Sequence, residues 1–451
     1  MAGSRVNRPP DQEDVDAFRP LGELHEYQET LAGQIRDCLS ATKWKERRAV
    51  LWLPTGTGKT RVTVETLLMD CALEAPRNCI LWVADRGELC EQAIETFRHV
   101  WMVRGLQSRS CRGGVIPTLR VIRLWGSREW QEPPIQPTVI VASIQTLARR
   151  LQDDEDFAEE LAIIGERAAA IVFDEAHHVV APSWGRVMRA LGLSRLGNVY
   201  DRNQKTAAPL LGLTATPART SQDETEKLSR RFNGRLLEPL PPFRALEGFQ
   251  EGGYLAKPVI EDIHTGYELR LTQGEIEQVD VFHRLPRTAL RRAASDSART
   301  AQIVADLESR LDRLQSVLLF ACSVEHAHTI AAVLARRGVR AAALDGSSPR
   351  PVRWRTIQRF REGSVQVLAN YDLLATGFDA PNVDCVALAR PVESRVLYAQ
   401  MVGRGLRGPL NGGTADCVIL DYLDRIPALG HLDDLRRQFR AEFLAPGDTD
   451  A

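Results

Sequence analysis

Lys59 and Thr60 close a run, Leu53-Pro54-Thr55-Gly56-Thr57-Gly58-Lys59-Thr60, whose residue types suit the holding of a phosphate chain. Gly56 and Gly58 let backbone N–H groups curl around phosphate oxygens without interference from a Cβ. Thr55 and Thr57 complete the loop, Lys59 can reach the terminal phosphates, and the Thr60 hydroxyl can ligate Mg²⁺. Leu53 stands where the strict phosphate-loop pattern has Gly or Ala, so only the GxGKT half is present. Further along, Asp174-Glu175-Ala176-His177 ends an apolar run. There Asp174 can hold Mg²⁺ while Glu175 orients and deprotonates a water. Acids after a strand are often plain caps, but a cap asks neither for a phosphate loop upstream nor for His177 just after. Upstream, Gln28 carries an amide that can match the donor and acceptor of an adenine edge. ATP with Mg²⁺ is the cofactor set these residues suit.

The elements that must position these groups are legible around them. Ala49-Val50-Leu51-Trp52 is short and apolar enough for a buried strand, and Arg61 to Met69 is compatible with a helix. Strand, glycine loop and helix is the context the motif requires, with the helix N-terminus adding its partial positive charge. Cys79 to Ala84, Thr138 to Ala142, Ala168 to Phe173 and Leu211 to Thr214 read as further buried strands, each ending in polar residues. Such units imply an α/β fold, a parallel, doubly wound sheet whose strand C-termini line one edge.

With 451 residues, the chain exceeds one ordinary core, and about two or three domains is the expectation. A net charge of −1 gives no global attraction to polyanions, so any nucleic-acid surface must be local. The eight cysteines are scattered without a CxxC pair, which argues against a zinc site and a disulfide framework. No apolar run approaches the ~18 residues of a membrane span. The N-terminal stretch lacks the apolar core of a signal peptide. No membrane association is expected, and the protein reads as cytoplasmic.

GTGKT, DEAH and Thr214-Ala215-Thr216-Pro217, in this order and spacing, resemble a superfamily 2 helicase or translocase of the DEAH type. The likeness is to the group holding type I and type III restriction-enzyme helicase subunits and bacterial DNA-repair helicases. The second half continues it. Ser316 to Ser323 resembles motif IV, Gln366 to Asp384 with Gly377-Phe378-Asp379 resembles motif V, and Gln400 to Arg407 resembles motif VI. The resemblance implies two tandem RecA-like domains closing an ATP cleft. It makes Arg407 an arginine finger and Arg404 its phosphate-contacting neighbour, with Gln400 in the same catalytic motif. It places Gly377 and Asp379 near the nucleotide, and has His177 couple the nucleotide to Thr214 and Thr216. It sets Arg86, Ser143, Thr146 and Ser323 on a nucleic-acid backbone. Arg404 and Arg407 are three apart, so on a helix they would share a side. The eight arginines between Arg336 and Arg361, against the single acid Asp345, suit either a solvated face or backbone binding.

The expected organisation is a disordered leader over 1–17, a first RecA-like domain over 18–240, and a linker with helical insert over 241–312. A second RecA-like domain follows over 313–432, then a tail over 433–451. The function this implies is ATP-dependent translocation on, or unwinding of, nucleic acid, with DNA in repair, restriction or phage defence as the first reading. The others are an RNA helicase, a duplex translocase that separates no strands, and a nucleotide-controlled interaction subunit of a defence or repair assembly. A protein partner supplying specificity or a nuclease is part of the expectation. Neither direction of travel nor pathway is legible.

Overall fold

A computed structural model describes residues 21–429, apart from 75, 86, 112–117, 126–135, 155, 194–207, 216–221, 283–284, 372, 375–381 and 393–394. The expected leader and tail therefore lie outside the described residues. Within them stand two parallel sheets. The first holds β1 (Arg48–Trp52), β2 (Cys79–Ala84), β3 (Arg120–Leu124), β4 (Thr138–Ser143), β5 (Ala168–Phe173), β6 (Leu210–Thr214) and β7 (Leu236–Leu237). Its order is β3-β4-β2-β5-β6-β1-β7. Sequence order and sheet order differ in a way that matters. β5, β6 and β1 are neighbours, so the phosphate loop, the acid pair and Thr214 emerge side by side at one edge.

The unbroken apolar runs follow from burial on both faces. Every residue of β2 and of β4 is buried. Alternate side chains then divide between two cores. Ile80, Trp82 and Ala84 join the cluster under helices α1 (Glu26–Ser40), α2 (Lys59–Asp70) and α3 (Gly87–Arg104), and Cys79, Leu81 and Val83 join the opposite one. All eight cysteines are free thiols.

The second sheet holds β8 (Lys257–Glu268), β9 (Val317–Ala321), β10 (Ala341–Leu344), β11 (Val367–Asn370), β12 (Cys385–Ala389) and β13 (Asp416–Arg425), in the order β10-β11-β9-β12-β13-β8. This moves a boundary. The segment 241–312 was expected as linker and helical insert, yet its strand β8 pairs along β13 and forms an edge of the second sheet. Helix Ser297–Glu308 from the same segment supplies Ile303, Val304 and Leu307 to the second core. The mixed polar and apolar pattern of β8, natural for an edge strand with one open face, hides it from a search for apolar runs.

The lobes meet through an aromatic cluster. Tyr27 of the first lobe lies 5.0 Å from the ring centroids of both Phe249 and Tyr254, edge to face, and 5.4 Å from Phe243. Edge-to-face pairs of this kind add about 0.5–1.5 kcal/mol each beyond area burial.

Candidate active site

Gly56 and Gly58 sit at φ +88° and +87°, in the left-handed region that an L side chain resists. Gly58 has a second constraint, since a Cβ there would meet Gln28 Nε2 at 2.6 Å. The loop between them is held from two sides. Thr57 donates its hydroxyl to the Pro54 carbonyl at 2.8 Å, while Tyr27 Oη and Gln28 Nε2 each donate to the Thr57 carbonyl at 3.0 Å. Gln28 Oε1 accepts from the His25 backbone N–H at 3.0 Å. The Gln28 amide thus braces the loop with its nitrogen and caps α1 with its oxygen, although the residue also lines the cavity.

Gly58 caps α2, so Lys59 and Thr60 begin the helix. The Lys59 amine donates to the carbonyls of Leu53 at 3.1 Å and Pro54 at 3.4 Å. Burial holds its pKa below the usual lysine range, against the opposing pull of Glu175 and Asp174. Across from it, burial pushes the Asp174 carboxyl up to about 7, helped by the charge of Glu175. Asp174 accepts from the Glu175 backbone N–H at 3.0 Å. Glu175 itself has φ 50° and ψ 53°, a left-handed conformation that costs a non-glycine residue of order 1–3 kcal/mol and clusters at functional sites. His177 Nδ1 lies 3.2 Å from Glu175 Oε2 and 3.3 Å from Thr214 Oγ1. The imidazole therefore sits between the acid pair and the end of β6.

The second lobe closes the site. Helix Arg395–Val402 ends just before Gly403, where a Cβ would meet Thr55 Cβ at 2.7 Å. At Gly405 a Cβ would lie 2.3 Å from Cys417 Sγ. The helix has ended before Arg404, so Arg404 and Arg407 do not share a helical face as their spacing suggested. Arg404 sits in the turn, its N–H bonded to the Met401 carbonyl at 3.2 Å, and Arg407 forms an antiparallel bridge with Leu255. Both still reach one cavity of about 290 Å³, whose wall also includes Thr55, Gly56, Thr57, Gly58, Lys59, Thr60, Asp174 and Glu175. Gln400 lies half-buried on the preceding helix and is not among the residues lining that cavity.

The remaining expected residues divide. Arg86, Gly377, Asp379 and Thr216 lie outside the described residues. Ser143 and Thr146 are buried and engaged with each other, Ser143 Oγ capping the helix Ile144–Asp153 through the Thr146 N–H at 3.3 Å. Ser323 Oγ caps helix Val324–Arg336 in the same way, accepting from His326 N–H at 3.1 Å. These hydroxyls serve helix N-termini. Sequence reasoning missed His25, Leu89, Gln92, Thr96 and Asn411, all of which line the cavity. None belongs to a pattern of spaced polar residues, and only the fold brings them there.

Thr60 and Asp174 offer hard oxygen donors in the cavity. Among the described residues no three His, Cys, Asp or Glu side chains cluster so as to hold a metal. Among the described residues, no helix is long and apolar enough to cross a membrane.

Residues 21–219 match the family model "Type III restriction enzyme, res subunit", and 300–408 match the helicase conserved C-terminal domain. IRC3 of Saccharomyces cerevisiae, provisionally named an ATP-dependent helicase, is 25% identical over 406 residues, covering 89% of this chain and 51% of that protein. The type I restriction enzyme EcoKI endonuclease subunit of Escherichia coli is 26% identical over 439 residues, 87% of this chain and 34% of its own length. The chain thus spans about half of the first relative and a third of the second. Among solved structures, Dbp5 of S. cerevisiae bound to RNA and ADP BeF3 superposes with a TM-score of 0.55 at 15% identity, over 93% of this chain and 92% of that one. The fold is the tandem RecA-like arrangement.

Proposed function

As a member of the superfamily 2 helicases, this chain is, we propose, an ATP-hydrolysing motor that moves along or unwinds nucleic acid, with DNA as its track. One observation carries the reading. The phosphate loop and acid pair of the first lobe share a single cavity with two arginines of the second.

The chemistry divides among this chain's residues. The loop N–H groups and Lys59 hold the β- and γ-phosphates, and Mg²⁺, held by Thr60 and Asp174, neutralises phosphate charge when bound. Glu175 takes a proton from the attacking water, whose oxygen bonds to the γ-phosphorus as the bridge to ADP breaks. His177 fixes Glu175 from behind. Arg404 and Arg407 meet the charge that builds on the transferred group, so hydrolysis requires the lobes to be closed. Closure and release are then the stroke that moves a strand.

DNA is favoured over RNA because a restriction-enzyme subunit and the restriction-enzyme family model both match, the former over most of the chain. That likeness supports a role in restriction, phage defence or repair, with a protein partner supplying specificity or a nuclease. Purified protein tests the assignment. Lys59→Ala should lose nucleotide binding, turnover or both. Glu175→Gln should bind ATP and lose turnover by ~10²–10⁴-fold, the range of general-base catalysis. Full turnover in Glu175→Gln would sink the reading. Stimulation of the ATPase by RNA alone would overturn the choice of DNA.

A further inference from the structure

The segment Gly253-Tyr254-Leu255-Ala256, which leads into β8, is hydrogen-bonded along the turn that carries Arg407. Leu255 forms the antiparallel bridge with Arg407 itself. On one side of that bridge the Leu406 carbonyl accepts from the Ala256 N–H at 3.2 Å. On the other, the Tyr254 carbonyl accepts from the Gly408 N–H at 3.1 Å and from the Asn411 amide at 2.8 Å. The Gly253 carbonyl extends the clasp, accepting from the Leu410 N–H at 3.0 Å. Gly408 has an ordinary φ of −81°, so space and not conformation asks for glycine there. A Cβ on it would press on the Gly253 oxygen and lie 2.7 Å from the Leu255 nitrogen. The clasp stands over the phosphate loop, since a Cβ on Gly56 would lie 3.5 Å from Arg407 Cγ and 3.9 Å from Leu255 Cδ2.

The same segment bears on the first lobe through a side chain. The Tyr254 ring meets Tyr27 edge to face at 5.0 Å and His25 at 4.7 Å. Tyr27 is buried, and its hydroxyl donates to the Thr57 carbonyl of the phosphate loop. Tyr254 thus works in two directions: its carbonyl holds the turn of Arg407, and its ring rests on the residue that braces the loop. It is not among the residues lining the ATP cavity. We propose that Tyr254 is the positioning residue of the arginine finger, fixing Arg407 relative to the phosphate loop through the ring of Tyr27. This rests on the reading of Arg407 as the group that meets the charge on the transferred phosphate. Placement matters steeply there, since a misplacement of about 1 Å can cost about 10²-fold in rate. Aromatic rings suit the task, because edge-to-face packing holds both a distance and an angle.

A double-mutant cycle on the full chain tests it, with single-turnover hydrolysis and equilibrium ATP binding as the two readouts. Tyr254→Ala should lower the rate at least ~10-fold and change ATP affinity far less. Tyr254→Phe keeps the ring and should restore the wild-type rate. In the Arg407→Ala background, Tyr254→Ala should cost nothing further, because the group that it positions is gone. A residue that only supported the fold would slow both backgrounds alike. Gly408→Ala is an independent lever, since it leaves both rings in place and forces the clasp apart. It should show the same loss and the same dependence on Arg407, and it decides alone should Tyr254→Ala fail to fold. Full activity in Tyr254→Ala and Gly408→Ala beside an impaired Arg407→Ala would overturn the proposal and leave the finger standing. Losses that multiply in the double variants would overturn it as well. Full activity in Arg407→Ala would instead sink the finger, and the positioning role with it.

Discussion

Both lobes bury charged side chains at the carboxyl edge of a parallel sheet, but the two sets of charges are compensated differently. In the first lobe Lys59 rests on carbonyl oxygens, while Asp174 and Glu175 stand adjacent with like charge. Burial drives the Lys59 pKa down and the Asp174 pKa up, so each charged form is held at a cost. In the second lobe Arg299 meets Asp424 bidentately, at 2.7 and 2.9 Å, with both side chains at 0% exposure. Thr265 Oγ1 donates to the same carboxylate at 2.6 Å, and Arg299 also donates to the Ala389 carbonyl at 3.1 Å. In the second lobe one cation meets one carboxylate, with only Arg299 Nη1 left without a hydrogen-bond partner, whereas in the first two adjacent carboxylates face a single amine. Burial of charge alone therefore does not mark a site; incomplete compensation does.

The largest expected effect breaks the compensated side. Asp424→Asn should destabilise the second lobe by about 3–5 kcal/mol, because Arg299 would keep its charge in the interior without a counter-ion. The pair Arg299→Met with Asp424→Leu should recover most of that loss, since replacing both partners removes the orphaned charge. Urea unfolding of the three proteins checks it. If Asp424→Asn unfolds at the wild-type midpoint, the pair contributes nothing and the contrast between the lobes collapses. Lys59→Ala or Asp174→Asn should not show this pattern, as each removes a buried charge that the surrounding protein compensates poorly.

Next in size is the effect of the second lobe's arginine on the first lobe's chemistry. Arg407→Ala should reduce kcat at least ~100-fold, about 2.7 kcal/mol of transition-state stabilisation. ATP affinity should change far less. Single-turnover rates together with equilibrium nucleotide binding separate the two quantities. A loss confined to affinity would make Arg407 a ground-state ligand, and hydrolysis would not then depend on its role across the cleft.

Much of the first lobe was legible because its functional residues follow apolar strands directly, and strand, loop and helix patterns each have their own period. The glycine positions in GTGKT announced backbone that only Gly adopts freely, and Gly56 and Gly58 have it. The second lobe was less legible for two physical reasons. The helix Arg395–Val402 stops before Arg404, in a turn where Gly403 and Gly405 permit close packing, although the spacing of three between arginines had suggested a helix there. Strand β8 belongs to the sheet by pairing with β13, a partner roughly 160 residues away along the chain, and no local pattern encodes that distance. Ser143, Thr146 and Ser323 illustrate a third limit, since a hydroxyl at a strand end reads the same whether it caps a helix or meets a phosphate.

The smallest effect sharpens the contrast through a titration. His326 is buried beside the Arg299–Asp424 pair, where its Nδ1 accepts from the Cys322 N–H at 3.2 Å. Its Nε2 lies 3.3 Å from Thr300 Oγ1, so the neutral tautomer with the proton on Nε2 satisfies both contacts. Burial, then the charge of Arg299, push its pKa down to about 3. An unfolded histidine titrates near 6.5, so between these values the unfolded chain binds a proton that the folded lobe does not. Stability from this residue is complete above about pH 6.5 and falls as pH drops below it, by up to about 1.4 kcal/mol per unit. His326→Gln carries no such proton and keeps an amide able to meet one of the two partners. The two proteins should therefore converge in stability as pH falls from 7 to 5, with wild type showing the steeper loss. Urea midpoints across that range, with amide exchange in β9 to assign the unfolding to the second lobe, measure the difference. Parallel pH profiles for the two proteins would mean that His326 is protonated in the fold. The second lobe would then hold an uncompensated charge of its own, and the distinction drawn between the lobes would fail at that residue.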